Sequence, residues 1–250
     1  MRLTSDFLAR PLAHRGLHDV TDGRPENSLE AFEAAISAGY GIELDIQPSA
    51  DGVPMVFHDY DLARLAGIKG PIAQCSTQQL EAQKLVGGPT GIPTLKTVLE
   101  CVRGKVPLLI EIKDQDGAMG RNVGALEREV TRVLSGYPGP AAVMSFNPNS
   151  VDAFKTLCPH RPRGLVTCGY SAADWPILPF ETRRYLRDIP DFEAVGASFV
   201  SHDRNDLKNP ALTGLKANGV PILTWTVRSA EQATTARLVA DNITFEGFMA

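Results

Sequence analysis

Residues 41–47 have the sequence Gly-Ile-Glu-Leu-Asp-Ile-Gln, in which acidic and aliphatic side chains alternate. In a β-strand, residues i and i+2 face the same side, so Glu43 and Asp45 point one way and the aliphatic residues the other. Two adjacent carboxylates are costly to bury in their ionised form unless a cation accompanies them. The stretch therefore predicts a strand with a divalent cation on its acidic face, and oxygen-only ligands suit Mg²⁺ or Ca²⁺. An edge strand with a solvated acidic face is the alternative interpretation.

The same spacing recurs in the strand predicted over residues 106–113. Glu111 and Lys113 share one face of that strand, and aliphatic residues occupy the other. Glu111 would supply a third metal ligand, and Lys113 a positive charge for a bound anion. A plain salt bridge between the two explains this segment equally well when it is taken alone. The pairing with Glu43 and Asp45 favours the metal site.

Working outward from these strands, segments with strand and helix patterns alternate along the whole chain. Strands alternating with helices are typical of βαβ units and a parallel sheet. Roughly eight such units in 250 residues predict an α/β fold, a closed (β/α)8 TIM barrel. Strands are predicted near residues 11–14, 41–47, 54–57, 106–113, 141–144, 164–167, 194–200, 220–226 and 241–245, and helices near 28–39, 93–103, 122–134, 149–157, 210–218 and 229–238.

Two segments interrupt this alternation. Residues 59–92 are rich in Gly, Pro and polar residues, and we interpret them as a small insertion after the second strand, on the rim where loops vary. Residues 168–191 are predicted to be irregular. No linker or internal repeat is visible, so residues 1–250 are predicted to form one domain.

Charge and composition restrict the classes of partner. The 25 basic and 29 acidic residues give a net charge of −4 without a basic stripe, which argues against nucleic acid and anionic membrane surfaces. No apolar run approaches the ~18 residues of a membrane span, so no stable membrane insertion is expected. The N-terminus lacks the pattern of a secretory signal. Four cysteines without C-x-x-C spacing predict free thiols and a cytoplasmic location. The sequence does not reveal the oligomeric state.

Two histidines occupy positions suited to catalysis. His14 and His58 each end a short apolar run, and strand carboxyl ends form the active-site face of a barrel. With pKa values near neutrality, one imidazole accepts a proton while the other donates one. Arg15 offers a fork that fits phosphate oxygens. A structural role for each histidine is the alternative, and Trp225 either walls a pocket or packs in the core.

Several short strings, dense over residues 12–113 and sparse in the C-terminal half, carry a family resemblance. They are His14-Arg15-Gly16, Pro25-Glu26-Asn27-Ser28, Gly41-Ile42-Glu43-Leu44-Asp45, Asp51-Gly52, His58-Asp59, Ile92-Pro93-Thr94-Leu95, Glu111-Ile112-Lys113 and Trp225-Thr226-Val227. As a set, these strings resemble the glycerophosphodiester phosphodiesterase family. The site residues implied by the resemblance are the metal ligands Glu43, Asp45 and Glu111, the acid–base pair His14 and His58, and the phosphate contacts Arg15 and Lys113.

The resemblance also implies an activity, the metal-dependent hydrolysis of small-molecule glycerophosphodiesters to glycerol 3-phosphate and an alcohol in lipid and glycerol metabolism. The chain departs from the family at its end, where many members have Gly-x-Asp-Gly-Ile-x-Thr-Asp and residues 241–248 read Asp-Asn-Ile-Thr-Phe-Glu-Gly-Phe. This departure leaves open the substrate-side contacts of the last strand and the role of Glu246. Glu26 matches a motif position near the metal, and its role also stays open. The alternatives are a related barrel phosphodiesterase acting on lysophospholipids or phosphoinositides, and a catalytically silent binding barrel.

Overall fold

The strand that carries Glu43 and Asp45 belongs to a ring of parallel strands in the computed structural model, which describes residues 2–250. The strands are β1 (Leu12–Ala13), β2 (Gly41–Pro48), β3 (Pro54–Val56), β4 (Leu108–Ile112), β5 (Ala141–Ser145), β6 (Arg163–Thr167), β7 (Phe199–Asp203), β8 (Ile222–Val227) and β9 (Asn242–Phe245). The ring runs β1-β2-β4-β5-β6-β7-β8-β9 and closes where β9 pairs with β1. β3 lies outside it, antiparallel to β2. The predicted (β/α)8 barrel is confirmed.

Most of the helices lie between successive strands of the ring and cover the outside of the barrel. They are α1 (Asp6–Ala9), α2 (Leu29–Ala38), α3 (Ala63–Ala66), α4 (Thr77–Ala82), α5 (Leu95–Val102), α6 (Ala125–Leu134), α7 (Pro148–Leu157), α8 (Phe180–Arg187), α9 (Pro210–Ala217) and α10 (Ala230–Ala236). As predicted, α2 begins after Ser28, whose hydroxyl accepts from the N–H of Ala31, and ends at Gly39 in the left-handed region. None of the helices within residues 2–250 is long and apolar enough to cross a lipid bilayer.

The two faces of β2 meet different surroundings. Ile42, Leu44 and Ile46 are fully buried against the surrounding helices, including Phe32 of α2 and Val98 of α5. Burial of one such aliphatic side chain stabilises the fold by about 1.5–3 kcal/mol. This apolar face fixes the strand against the helices, and the acidic face consequently points into the barrel.

The short helix α1 lies at the amino end of the barrel. Phe7 is 1% exposed and packs with Leu12 and other interior residues. The Asn242 side chain donates hydrogen bonds of 2.7 Å to the carbonyl oxygens of Phe7 and Arg10. These contacts fill the amino end, so the interior is accessible from the carboxyl ends of the strands.

The segment between β2 and β4 contains the predicted insertion. After β3, the helices α3 and α4 pack around a small apolar cluster of their own, which includes Phe57, Leu62 and Leu80. The insertion thus follows the second strand of the ring. That the whole chain is one domain stays a prediction.

Two local predictions were wrong. The strand predicted at 194–200 lies at Phe199–Asp203, because the preceding apolar residues form a turn whose Val195 packs in the core without strand pairing. The stretch 168–191, predicted to be irregular, contains α8. This helix buries only Leu186, so its sequence has no apolar stripe to reveal it.

Candidate active site

A cavity of about 910 Å³ lies at the carboxyl ends of the barrel strands, where the active sites of this fold are built. The residues around it come from β2 and β4 to β9 and from the loops after β1, β3, β4, β5, β6 and β8. All of the site residues predicted from the sequence line it: His14, Arg15, Glu43, Asp45, His58, Glu111, Lys113 and Trp225.

Strand register brings the three predicted metal ligands together. Asp45 of β2 pairs directly with Glu111 of β4, and Glu43 lies two residues before Asp45 on the same face. One carboxylate oxygen from each residue lies within 4.8 Å of the others, and all three side chains are buried. Three converging carboxylates are a donor set that suits Mg²⁺ or Ca²⁺.

The charges of these carboxylates are unevenly balanced. Lys113 Nζ lies 2.7 Å from both Asp45 Oδ1 and Glu111 Oε1. Burial alone would raise the pKa of Asp45, but the positive charges of Lys113, His58 and Arg15 together outweigh it and hold that pKa below its usual range. Burial together with repulsion from Asp45 and Glu111 raises the pKa of Glu43 well above its usual value. The cluster therefore lacks a positive charge at Glu43, which a divalent cation would provide.

The loop after β1 holds the acidic cluster in place. Arg15 adopts a left-handed conformation (φ +56°), and its backbone N–H donates to Glu43 Oε2 at 3.1 Å. Gly16 follows at φ +83°, where an added Cβ would lie 2.9 Å from Ala31, so only glycine fits. The buried Asn27 side chain donates to Asp45 Oδ2 at 2.9 Å. The left-handed backbone at Arg15, which is strained for a residue other than glycine, aims its N–H at Glu43.

His14 is oriented by an acid from the far end of the chain. Its Nδ1 donates to Glu246 Oε2 at 2.5 Å, while Nε2 lies 3.9 Å from Glu43 Oε2. Burial lowers the pKa of His14, although Glu246 opposes that shift. The other oxygen of Glu246 accepts from Arg228 at 2.8 Å. His18 Nε2 also lies 3.5 Å from Glu246 Oε2, so His14, His18 and Glu246 form a second cluster of possible metal ligands. The Arg228 guanidinium, which already pairs with Glu246, disfavours a bound cation there.

His58 reaches the cavity by a route that differs from the predicted one. It follows β3, which is not a barrel strand but runs antiparallel to β2. The N–H of Phe57 donates to the carbonyl oxygen of Asp45, and the Gln47 side chain donates to that of His58. The hairpin thus returns the chain to the level of Asp45. The expectation that His58 ends a barrel strand was wrong, although the residue lines the cavity.

A chain of alternating charges connects His58 to the loop after β1. His58 Nδ1 donates to Asp59 Oδ1 at 2.7 Å, and Arg64 pairs with Asp59 and with Glu26. Glu26 in turn lies 2.6 Å from Arg15 Nη1. Glu26 therefore positions two arginines rather than facing the acidic cluster.

Arg15 is more engaged than its predicted phosphate role requires. Its Nη1 contacts Glu26 and its Nε lies 3.3 Å from Asp45 Oδ2, so two of its three nitrogens already face carboxylates. The side chain still lines the cavity. The remaining nitrogen, Nη2, is therefore the one best placed to contact an anion.

Trp225 walls the cavity and packs in the apolar interior at the same time. Its indole N–H donates to the carbonyl oxygen of Ser201 at 3.0 Å, and its ring packs edge-on against Phe146. The ring surface is therefore the part that a ligand meets. His202, by contrast, is buried between Thr167 and Asp206 and is a structural residue.

Sequence reasoning left several residues around the cavity without a role. Glu246 directly follows the last strand, the same signal that identified His14, so its position was recoverable. The apolar side chains that line the cavity, such as Phe146, gave no such signal, because an aromatic residue after a strand is usually a core residue. The residues without a predicted role include Asp59, Tyr60, Asp114, Met119, Phe146, Trp175 and Ile177.

Comparisons with known proteins give a consistent result. The model of the glycerophosphoryl diester phosphodiesterase family matches residues 14–243. The glycerophosphodiester phosphodiesterase of Caldanaerobacter subterraneus subsp. tengcongensis is 27% identical over 236 residues, which cover 88% of this chain and 86% of that protein. Human glycerophosphodiester phosphodiesterase 1 is 30% identical over 247 residues, covering 88% of this chain and 72% of that protein. The matched range contains all predicted site residues, and Glu246 lies beyond it.

A solved structure shares the fold. A phosphodiesterase of Oleispira antarctica, in complex with the product sn-glycerol-3-phosphate, superposes with a TM-score of 0.75 over 95% of this chain and 92% of that one. The two sequences are 22% identical, so this similarity bears on the barrel itself.

Proposed function

The chain belongs to the glycerophosphoryl diester phosphodiesterase family and is a phosphoric diester hydrolase, and we propose that it cleaves glycerophosphodiesters to glycerol 3-phosphate and an alcohol with a divalent cation and two histidines. The observation that carries the proposal is the cavity itself. Three buried carboxylates converge there beside Lys113 and Arg15, and His14 and His58 line the same space. This set provides charge for the phosphate and a proton acceptor and donor for its esters.

Glu43, Asp45 and Glu111 are the residues that would hold the cation. When bound, Mg²⁺ or Ca²⁺ supplies charge that stabilises the non-bridging oxygens of the phosphodiester. Lys113 adds a fixed positive charge from within a site that is largely shielded from water, where such a charge acts more strongly than in solution. Arg15, in the loop after β1, orients the phosphate.

The two histidines move the protons. The lowered pKa of His14 favours its neutral form, which takes the proton from the attacking hydroxyl, either that of the substrate's glycerol or that of water. Glu246 holds Nδ1 of this imidazole and directs Nε2 to the cavity. His58, whose Nδ1 is held by Asp59, protonates the departing alcohol.

One assay tests the proposed reaction directly. The purified protein is incubated with glycerophosphocholine, glycerophosphoethanolamine and a lysophospholipid, each with and without a chelator. We expect free alcohol and glycerol 3-phosphate from the glycerophosphodiesters, and no products with the chelator. Full activity after exhaustive chelation would contradict the proposed role of the cation.

We also propose a cytoplasmic location, because the structure leaves all four cysteines as free thiols, which is typical of a reducing compartment.

Replacement of Lys113 by methionine is expected to affect stability and activity together. The substitution leaves Asp45 and Glu111 buried without their ammonium partner, and breaking a buried ion pair in this way costs about 3–5 kcal/mol. Added Mg²⁺ or Ca²⁺ should restore part of that stability, because the acidic cluster then binds a cation more strongly. Loss of the phosphate contact should lower kcat/KM by about 10²-fold.

Thermal melting with and without cation, and steady-state kinetics, check the Lys113→Met variant. Lys96→Met is the matched control, since Lys96 is exposed and forms only a helical surface pair worth about 0.3–0.5 kcal/mol. A native kcat/KM in Lys113→Met would show that Lys113 does not contact the phosphate.

Replacement of Glu246 by glutamine is expected to lower turnover without unfolding the protein. The glutamine amide still reaches His14 but carries no charge to favour the imidazolium that forms during proton transfer. A fall in kcat of about tenfold with little change in KM is expected. Glu246→Asp should retain more activity than Glu246→Gln. If both variants turn over at the native rate, Glu246 only anchors Arg228.

A further inference from the structure

The cavity has two unlike walls. Most of the charged residues come from β2 and β4 and from the loops after β1, β3 and β4. The opposite wall comes from β5, β6 and β8 and the residue after β5, and it is mainly apolar, with Met144, Phe146, Val166 and Trp225; Arg228 at its edge is the charged exception. Trp175 and Ile177, from residues 171–179, complete this apolar wall, and Leu178 lines the cavity beside them.

The aromatic part of this wall forms one continuous surface. The ring of Phe146 packs against those of Trp175 and Trp225 at centroid distances of 5.1 and 5.7 Å, in tilted or edge-to-face geometry. Its other aromatic neighbour, the buried Tyr170 at 6.4 Å, does not line the cavity. Rings in mutual contact leave no gap for an ammonium group between their faces, as an aromatic cage requires. The indole N–H of Trp225 is already bonded to a carbonyl oxygen inside the wall. The surface therefore suits carbon chains better than cationic or hydroxyl-rich groups.

The apolar wall continues to the mouth of the cavity. Ile177 is 75% exposed at the rim, although it carries no polar atom that gains from contact with water. Met119, from the loop after β4, lines the same cavity. The volume of about 910 Å³ is at the upper end of the range for drug-sized ligands, roughly 300–1,000 Å³.

We propose that this wall, formed by Met144, Phe146, Val166, Trp175, Ile177 and Trp225, binds an apolar chain attached to one of the two alcohols of the phosphodiester. The inference rests on the function proposed above. With the phosphate at Lys113 and the carboxylates, one of its two ester groups faces the apolar side of the same cavity. A short hydrophilic alcohol leaves that side uncovered, whereas an alkyl or acyl chain removes it from water. The preferred substrates are thus glycerophosphodiesters that carry a hydrocarbon chain.

Two homologous series of substrates test the proposal and identify which alcohol carries the chain. In the first, glycerol phosphate is esterified to ethanol, butanol, hexanol or octanol. In the second, glycerophosphoethanolamine carries an acyl chain of two to eight carbons on its glycerol. All are used below the concentration at which they aggregate. In the series that fits the wall, kcat/KM is expected to rise about two- to fourfold per added methylene while the chain stays inside the cavity.

A variant at the rim checks that the rise comes from this wall. Ile177→Ser should reduce the ratio of kcat/KM between the longest and the shortest member of that series by about threefold or more. Leu238→Ser is the matched control, because Leu238 is 81% exposed and precedes β9 at the amino end of the barrel. It should leave the ratio unchanged.

Each outcome decides between the two proposals. Hydrolysis of the ethyl ester without any rise along either series would overturn the apolar subsite and leave the proposed function intact. A rise that persists in Ile177→Ser as in Leu238→Ser would also overturn the subsite. Hydrolysis of no diester at all would overturn both.

Discussion

Glu43→Gln is expected to remove most of the activity while leaving the cation-free protein at least as stable as the native one. Burial, together with repulsion from Asp45 and Glu111, raises the pKa of the Glu43 carboxyl, and no lysine or arginine side chain pairs with it within residues 2–250. The neutral amide relieves that repulsion but removes a ligand. Loss of the cation's contribution should lower kcat/KM by about 10³-fold.

Melting measurements separate the Glu43 ligand role from a structural one. For the native protein, cation at about 100 times its Kd should add about 2.7 kcal/mol to the free energy of unfolding, a rise in Tm of about 5–10 °C. Glu43→Gln should show little of this rise. Glu33→Gln, the same change on the exposed side of α2, should behave like the native protein. A Glu43→Gln protein that keeps both its cation-induced shift and its activity would refute the ligand role.

His14→Ala and His58→Ala should each lower kcat by about 10²–10⁴-fold with the fold intact. Neither truncation strands a buried charge, because Glu246 keeps Arg228 and Asp59 keeps Arg64. His160→Ala, in an exposed loop, is the matched control. Near-native kcat in either variant would show that the histidine it lacks has a structural role and not a catalytic one.

The choice of leaving group distinguishes the two histidines. Glycerol phosphate esterified to p-nitrophenol releases an anion that needs little protonation, so the general acid contributes less to its cleavage. On this substrate, kcat of His58→Ala should be much closer to that of the native protein than it is on an alkyl ester. For His14→Ala, the ratio to the native kcat should change little. The reverse pattern would exchange the assigned acid and base.

The sequence by itself determined the elements and the direction of their side chains. The alternation in residues 41–47 predicted that Glu43 and Asp45 point away from the aliphatic residues, and the barrel shows this arrangement. Helix α2 was predicted to within a residue because Ser28 and Gly39 are local signals. Such features depend on residues two to four positions apart, and this spacing can be read directly from the sequence. Helix α8, which buries one residue, lacked that signal.

The tertiary structure alone decided which of these side chains meet. The pairing of Asp45 with Glu111 depends on the register of β2 and β4, and a shift of one residue would have separated them. His58 enters the site through a hairpin, and Glu246 reaches His14 only because the barrel closes β9 onto β1. The apolar wall likewise joins residues from three strands and two loops. Contacts between distant segments depend on packing and closure of the whole barrel, which leave no periodic pattern in the chain.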